Sequence, residues 1–297
     1  MKHVVARKVV KLATKKMEKK DMQYYTQKKD VEHVLEDRDI AYSVQFCMDH
    51  YMPKKKILKD LYILDIHGGA WMYGKKELNR HFCMHLANGG YSVFNMDYGL
   101  APDYSVKQQI QQIFEALQFI QEHKKDYGLE NARVCLCGDS AGAHLASLAA
   151  CIVRDKELQK VYEVNAQGIH VAALLLQHGV YDLTPLKKAK TRPFKILYHW
   201  LFPNETNTLK HVDCLDAILD EQWDIPMFLL SSKEDKIFSF QTIRLEQKLI
   251  QLKIPHEALI WDASYDTLQH VFHIIDPDKP ESKESVQRML KFLNNLS

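Results

Sequence analysis

A serine flanked by glycines is the feature of this 297-residue chain that points most directly to chemistry. Ser140 stands in the run Gly-Asp-Ser-Ala-Gly, between an apolar stretch at 132–137 and an alanine- and leucine-rich stretch at 143–153. The first stretch is typical of a strand and the second of a helix. Glycines on both sides let a strand turn sharply into a helix with the serine exposed at the apex. The sequence therefore predicts a nucleophilic serine, with the backbone N–H of Ala141 directed at the oxygen of a bound carbonyl.

A second run that suits carbonyl chemistry lies upstream, where His67-Gly68-Gly69-Ala70-Trp71 follows a strand-like stretch at 61–66. Paired glycines let backbone N–H groups turn toward one point without obstruction by side chains. Alone, the run would be read as a turn that ends a strand. Together with the serine elbow, it predicts the other half of an oxyanion hole, formed by Gly68, Gly69 and Ala70.

These runs carry a family resemblance. With Asp97-Tyr98-Gly99-Leu100-Ala101-Pro102 between them, they resemble the HGGG, DYxLAP and GDSAG motifs of hormone-sensitive-lipase-type esterases, a branch of the α/β-hydrolase superfamily. The resemblance covers about residues 40–297. Two positions depart from the motifs: Ala70 replaces a glycine, and Ala143-His144 replaces Gly-Asn. The HGGxW form at 67–71 also occurs in kynurenine-formamidase-like hydrolases, so the substrate class stays open.

The resemblance implies the fold and the chain order of the catalytic residues. The fold would be α/β, a mostly parallel twisted sheet with helices on both faces and a helical cap or lid. In this superfamily the acid and the histidine follow the serine along the chain. Asp235 follows a buried strand at 226–232 and matches the acid position of the family's xDPL-like segment, with Lys236-Ile237 in place of Pro-Leu; Glu234 is the neighbouring alternative. Asp235 lies 95 residues after Ser140.

The base is expected in the loop that follows a strand at 257–261. The family motif H-G-F fits His270 and Phe272, with Val271 in place of the glycine, and His273 is the alternative. The resemblance thus predicts a Ser140–His270–Asp235 triad. His270 would remove the serine proton, and Asp235 would hold the imidazole in the required tautomer.

Composition favours an ordinary enzyme of the cytoplasm. Hydrophobic residues make up 46% of the chain, the net charge is +2, and no uninterrupted apolar run approaches the ~18 residues of a membrane span. Six cysteines show neither disulfide-framework nor zinc spacing. We expect no metal or organic cofactor, no nucleic-acid partner, no docking to a membrane surface and no secretory signal. A homodimer is compatible with the sequence.

Four segments organise the chain. Residues 1–40 form a basic N-terminal arm, which holds ten Lys and Arg against three acids over its first 30 residues. The arm is interpreted as cap helices over the site, and the alternatives are attachment to an anionic membrane surface and a solvated arm. Residues 41–182 form the first part of the core, opening with an antiparallel strand at 42–48, and residues 223–297 form the second part. Between them, residues 183–222 are interpreted as an aromatic-rich lid insertion.

The predicted activity is hydrolysis of carboxylic esters with short-to-medium acyl or aryl groups through an acyl-enzyme. An arylformamidase or other amide-type hydrolase would use the same triad. A serine peptidase fits less well, because the chain lacks the extra propeller domain common in α/β-hydrolase peptidases. The non-enzyme alternative is a ligand-binding protein of this fold, although such proteins usually lose a triad member.

Overall fold

The computed structural model describes residues 7, 10–12, 14–17, 19, 31–54, 58, 60–188, 190–203, 215–220, 222–262 and 267–296. An eight-stranded sheet runs through these residues in the order β1-β2-β4-β3-β5-β6-β7-β8. The strands are β1 (Val34–Ala41), β2 (Cys47–Pro53), β3 (Leu61–Ile66), β4 (Ser92–Met96), β5 (Arg133–Asp139), β6 (Val171–Gln177), β7 (Met227–Ser232) and β8 (His256–Trp261). β2 pairs antiparallel with β1 and β4, and the other neighbours pair in parallel. The predicted mostly parallel sheet is confirmed.

Helices cover both faces of the sheet. They are α1 (Arg80–Asn88), α2 (Val106–Glu122), α3 (Ala141–Arg154), α4 (Lys156–Tyr162), α5 (Thr184–Lys187), α6 (Arg192–Leu201), α7 (Leu215–Ile218), α8 (Ser239–Leu252), α9 (Phe272–Ile275) and α10 (Pro280–Asn294), with a 3₁₀ turn at Lys76–Leu78. The apolar sides of α2, α3 and α8 pack in one core layer. Those of α1 and α10 pack in the other.

The central strands are buried on both faces. Every residue of β3 and β7, and all but the first of β5 and β6, is buried. Covered parallel strands require continuous apolar runs, because neither face meets water. The runs in the sequence therefore predicted these four strands close to their observed bounds.

The first strand differs from its prediction at 42–48. Val34–Ala41 forms β1, residues 42–46 form the turn that leads to β2, and Ser43 closes this turn by accepting the Phe46 N–H at its Oγ, 3.2 Å away. Most side chains of β1 are exposed. An edge strand of charged residues lacks the apolar alternation that marks a strand in a sequence, which explains the error. The sheet therefore begins at Val34, inside the segment assigned to the arm.

The arm and the lid insertion are described in part. Residues 7, 10–12, 14–17 and 19 are helical, and Arg7 donates to the Pro102 carbonyl at 2.7 Å. Arg7 and Lys11 both pair with Asp103. The adjoining Ala101 N–H bonds to the carbonyl of Trp71, so the arm lies beside the segment that supports the predicted oxyanion loop. Residues 1–6, 8–9, 13, 18, 20–30, 189, 204–214 and 221, with their share of the cap and lid predictions, lie outside the described residues.

The parallel arrangement brings the chemistry-bearing segments to one edge of the sheet. β3 leads into 67–71, β5 into Ser140, β6 into His178, β7 into Asp235, and β8 into the segment that carries His270. Because parallel strands end at the same edge, side chains distant in sequence meet there. None of the helices in the described ranges is both long enough and apolar enough to span a bilayer.

Candidate active site

Ser140 sits at a sharp turn between β5 and α3. Its backbone has φ 52° and ψ −114°, a conformation that is rare for a residue other than glycine. Both flanking glycines are required by close backbone approach. A Cβ at Gly138 would lie 2.5 Å from the carbonyl carbon of Gly142, and one at Gly142 would lie 1.8 Å from the carbonyl oxygen of Ile66. The glycines thus allow the elbow to pack against β3 with Ser140 at its apex.

A chain of hydrogen bonds joins three predicted site residues. The Ser140 Oγ lies 2.9 Å from Nε2 of His270, and the His270 Nδ1 lies 2.8 Å from Oδ2 of Asp235. Burial alone would raise the pKa of Asp235, but the hydrogen bonds donated by histidines outweigh it and the net pKa lies well below the usual value. An ionised carboxylate only accepts, so Nδ1 of His270 carries the proton and Nε2 is free to accept the proton of Ser140.

The two alternative residues, Glu234 and His273, are not part of this series of hydrogen bonds. Glu234 pairs with Lys236, at 3.3 Å between the carboxylate and the ammonium. His273 is fully buried with its ring edge-on to Phe82, 5.2 Å between centroids. Burial lowers the pKa of His273 well below the usual value, so it is neutral. The geometry therefore brings His270 and Asp235, rather than these neighbours, to Ser140.

The loop after β3 has a backbone suited to oxyanion binding. Gly69 has φ 114°, and its neighbours Ala70 and Trp71 have φ 51° and 60°. Among the described residues, no protein acceptor is recorded for the backbone N–H of Gly69, Ala70 or Ala141. The Gly68 N–H instead donates to Oδ1 of Asp139 at 2.9 Å. Gly68 therefore shapes the loop, while the other three N–H groups are the ones left to receive an oxyanion.

A buried polar cluster beneath this loop fixes its position. Asn79 donates from Nδ2 to Asp139 and to Asp65, both at 2.9 Å. Burial raises the pKa of Asp65 to about 7, with repulsion from Asp139 adding to the effect. Burial also raises the pKa of Asp139. The carboxylate of Asp139, next to the elbow serine, thus ties the elbow to Gly68 across the site.

Trp71 and His144 form a second support of the loop. The Trp71 indole Nε1 donates to Nδ1 of His144 at 3.2 Å. Burial lowers the pKa of His144 to about 4, so its ring is neutral and Nδ1 can accept. His144 replaces the asparagine of the GDSAG-type motif, and here it serves as the acceptor for Trp71.

Sequence reasoning missed His178. Its Nδ1 lies 2.8 Å from Oδ2 of Asp235, the oxygen that also binds His270. The only signal in the sequence was a polar residue at the carboxyl end of a parallel strand, where the active sites of parallel sheets form. His178, Asp235 and His270 are also the group of potential metal ligands found among the described residues. Both histidines donate an N–H to the Asp235 carboxylate, so the three residues form a hydrogen-bonded cluster.

The family model described as BD-FAE matches residues 48–249, which include the oxyanion loop, the serine elbow and Asp235. The chain belongs to the BD-FAE family. His270 lies beyond the matched range, so its place in the site rests on the geometry.

Two relatives of this chain are named as ester hydrolases. The probable carboxylic ester hydrolase LipM of Mycobacterium tuberculosis is 30% identical over 217 residues, which are 72% of this chain and 49% of LipM. The acetyl esterase of Salmonella paratyphi B is 31% identical over 134 residues, 45% of this chain and 38% of that protein. The chain thus spans about half or less of the length of these curated relatives.

Solved structures match over nearly the whole BD-FAE chain. Esterase B from Lactobacillus rhamnosis is 27% identical with a TM-score of 0.88, covering 99% of this chain and 96% of that one. The same esterase inhibited by a tributyrin phosphonate is 27% identical with a TM-score of 0.88, covering 98% and 95%. The prediction of an α/β-hydrolase of the esterase and lipase kind is confirmed.

Proposed function

We propose that this chain is a serine hydrolase that cleaves carboxylic esters through an acyl-enzyme. The observation that carries the proposal is the continuous hydrogen-bonded chain from Ser140 through His270 to Asp235. The esterase names of the relatives and of the matching structures support the ester as the bond attacked.

The reaction follows from the atoms at the sheet edge. Nε2 of His270 takes the proton of Ser140 as Oγ attacks the ester carbonyl, and Asp235 stabilises the imidazolium that forms. The N–H groups of Gly69, Ala70 and Ala141 receive the negative oxygen of the tetrahedral intermediate. His270 then protonates the leaving alcohol. A water, activated by the same histidine, attacks the acyl-enzyme and releases the acid.

The acyl group accepted is short to medium in length, or an aryl group. Apolar residues beside the base and in the lid segment support this part of the proposal. The Phe238 ring lies 5.3 Å from the His270 ring, and Tyr198, Leu201 and Phe202 of the lid segment are buried against the main core. Each methylene that enters an apolar pocket is worth about 0.8 kcal/mol, or about fourfold in catalytic efficiency, until the chain meets a wall.

A panel of p-nitrophenyl esters from acetate to palmitate tests the proposal, with a Ser140→Ala variant as the control. Efficiency should rise over the first few carbons and then fall, and the variant should lose turnover at every length. N-formylkynurenine belongs in the same panel. Faster turnover of the formamide than of every ester would replace the ester assignment with the arylformamidase alternative.

The setting of the enzyme belongs to the same proposal. The described cysteines are free thiols, in keeping with a reducing compartment such as the cytoplasm. A homodimer stays a prediction, which the mass of the particle in solution would test.

A further inference from the structure

His178 is a second histidine that contacts Asp235, the acid of the triad. It follows β6 directly, and its side chain is fully buried. Its Nδ1 and that of His270 each lie 2.8 Å from the same oxygen, Oδ2 of Asp235. The two imidazole rings stand edge to face, with centroids 5.6 Å apart. One carboxylate oxygen thus serves two histidines.

The charge states in this cluster follow from burial and hydrogen bonding. Burial lowers the pKa of His178, although the hydrogen bond to Asp235 opposes this shift. His178 is therefore neutral, and because ionised Asp235 only accepts, its proton is on Nδ1. Nε2 of His178 is an acceptor for which the described residues offer no partner. The other titratable groups that face it are His270 and His273.

The Asp235 carboxylate is saturated with donors. Oδ1 accepts the backbone N–H groups of Ile237 and Phe238 at 3.0 Å each, and Oδ2 accepts the two histidines. A carboxylate offers about four acceptor sites, so every site is filled. Without His178, Oδ2 would keep a single donor, and the carboxylate plane would lose one of the bonds that hold it.

We propose that His178 is a positioning residue for the triad, a neutral imidazole that fixes Oδ2 of Asp235 and shares that oxygen with His270. The inference rests on the proposed hydrolase function. His178 acts in two ways. It holds the acceptor at the place that aligns His270 with Ser140, and it supplies one of the two N–H donors on Oδ2.

The backbone at this position narrows the choice of residue. His178 has φ 48°, in the left-handed region, where Asn, Asp and His are enriched among residues other than glycine. Its N–H donates to the carbonyl of Leu230 at 2.8 Å, which locks the turn to the neighbouring strand. Asparagine suits this backbone and can place its amide N–H near the position of Nδ1. A phenylalanine fills a similar volume but offers no donor.

Three variants separate a positioning role from simple packing. His178→Phe removes the donor, and His178→Asn restores a donor. His273→Phe is the matched control, because His273 is an equally buried ring, stacked on His178 at 5.7 Å, with no hydrogen bond to the triad. Thermal unfolding of each variant reports the loss of stability, and steady-state values of kcat and KM report the effect on the triad.

His178→Phe should lower kcat by about ten- to hundredfold, the loss expected for one hydrogen bond to a charged group, with little change in KM. His178→Asn should recover most of the loss, and His273→Phe should keep the wild-type kcat.

Three kinetic outcomes would overturn the inference. They are a His178→Phe variant within about twofold of wild type, equal losses in the Phe and Asn variants, and the same loss of kcat in His273→Phe. A wild-type protein without ester turnover would instead contradict the proposed function and leave the inference to a second measurement.

That second measurement is the ¹⁵N spectrum of histidine-labelled protein near neutral pH, which needs no substrate. The Nδ1 of His178 should be protonated and Nε2 unprotonated, and the signals should be assigned by their loss in His178→Phe. An unprotonated Nδ1 in the folded wild type would contradict the proposed bond, whatever the activity.

Discussion

Replacement of Asp235 by asparagine tests the tautomer argument at the centre of the site. The native carboxylate accepts four N–H donors, two on each oxygen. An asparagine has one oxygen, so its NH₂ group must face either the two histidines or the two backbone N–H groups of Ile237 and Phe238. Neither orientation keeps the native pattern.

The magnitudes decide between these orientations. If NH₂ faces the backbone, two buried donors lose their partner, at about 1–3 kcal/mol each. If it faces the histidines, both Nδ1 atoms must accept, and the penalty is one unpaired N–H on Nε2 of His178, about 1–3 kcal/mol. The second orientation is the more stable. It places the His270 proton on Nε2, where that nitrogen cannot take the proton of Ser140.

We therefore expect Asp235→Asn to lower kcat about 10⁴-fold, equivalent to about 5.5 kcal/mol in the barrier, with KM little changed. The assay is steady-state turnover of p-nitrophenyl butyrate, with thermal unfolding to verify the fold. Glu234→Gln is the matched control and should stay close to wild type, because Glu234 pairs with Lys236 outside the triad. An Asp235→Asn variant within about tenfold of wild type would refute the reasoning.

Three further predictions follow from the same contacts. His270→Ala should lower kcat nearly as much as Ser140→Ala does, whereas His273→Ala should retain most activity. If the two effects were exchanged, His273 would be the base. Gly142→Ala should lower stability by about 1–3 kcal/mol and impair turnover, because its Cβ would lie 1.8 Å from a backbone oxygen; unfolding curves that match wild type would contradict this. Asp65→Asn should be more stable than wild type, and the gap in Tm should widen from about pH 4 to about pH 7 and then stay constant. The raised pKa of Asp65 means that the folded protein keeps a proton which the unfolded chain releases, so wild-type stability falls across that window; a gap independent of pH would exclude this cause.

The parts of the molecule that the sequence predicted are those with a strong local signal. Continuous apolar runs marked the buried parallel strands, and the glycines around Ser140 marked the elbow, because backbone contacts leave no room for a Cβ there. The chain order of the acid and the histidine came from the family resemblance. The edge strand β1 was missed, because its charged residues face solvent and show no apolar period.

The supporting residues had no such signal. His178 meets Asp235 across 57 residues of sequence, and a single histidine after a strand has no characteristic spacing. Asp65 interrupts an apolar run, and the partners that explain it, Asn79 and Asp139, lie on other elements. Contacts of this kind depend on the register of neighbouring strands, and this register cannot be read from the sequence alone.

Covalent labelling with a fluorophosphonate, followed by peptide mass spectrometry, tests the central claim most directly, because the reagent reacts with activated serines. We expect one adduct, on Ser140, which is absent in Ser140→Ala and forms far more slowly in His270→Ala, because His270 Nε2 is the group that takes the serine proton. An adduct on another serine, or labelling of Ser140 at an unchanged rate in His270→Ala, would contradict the central claim.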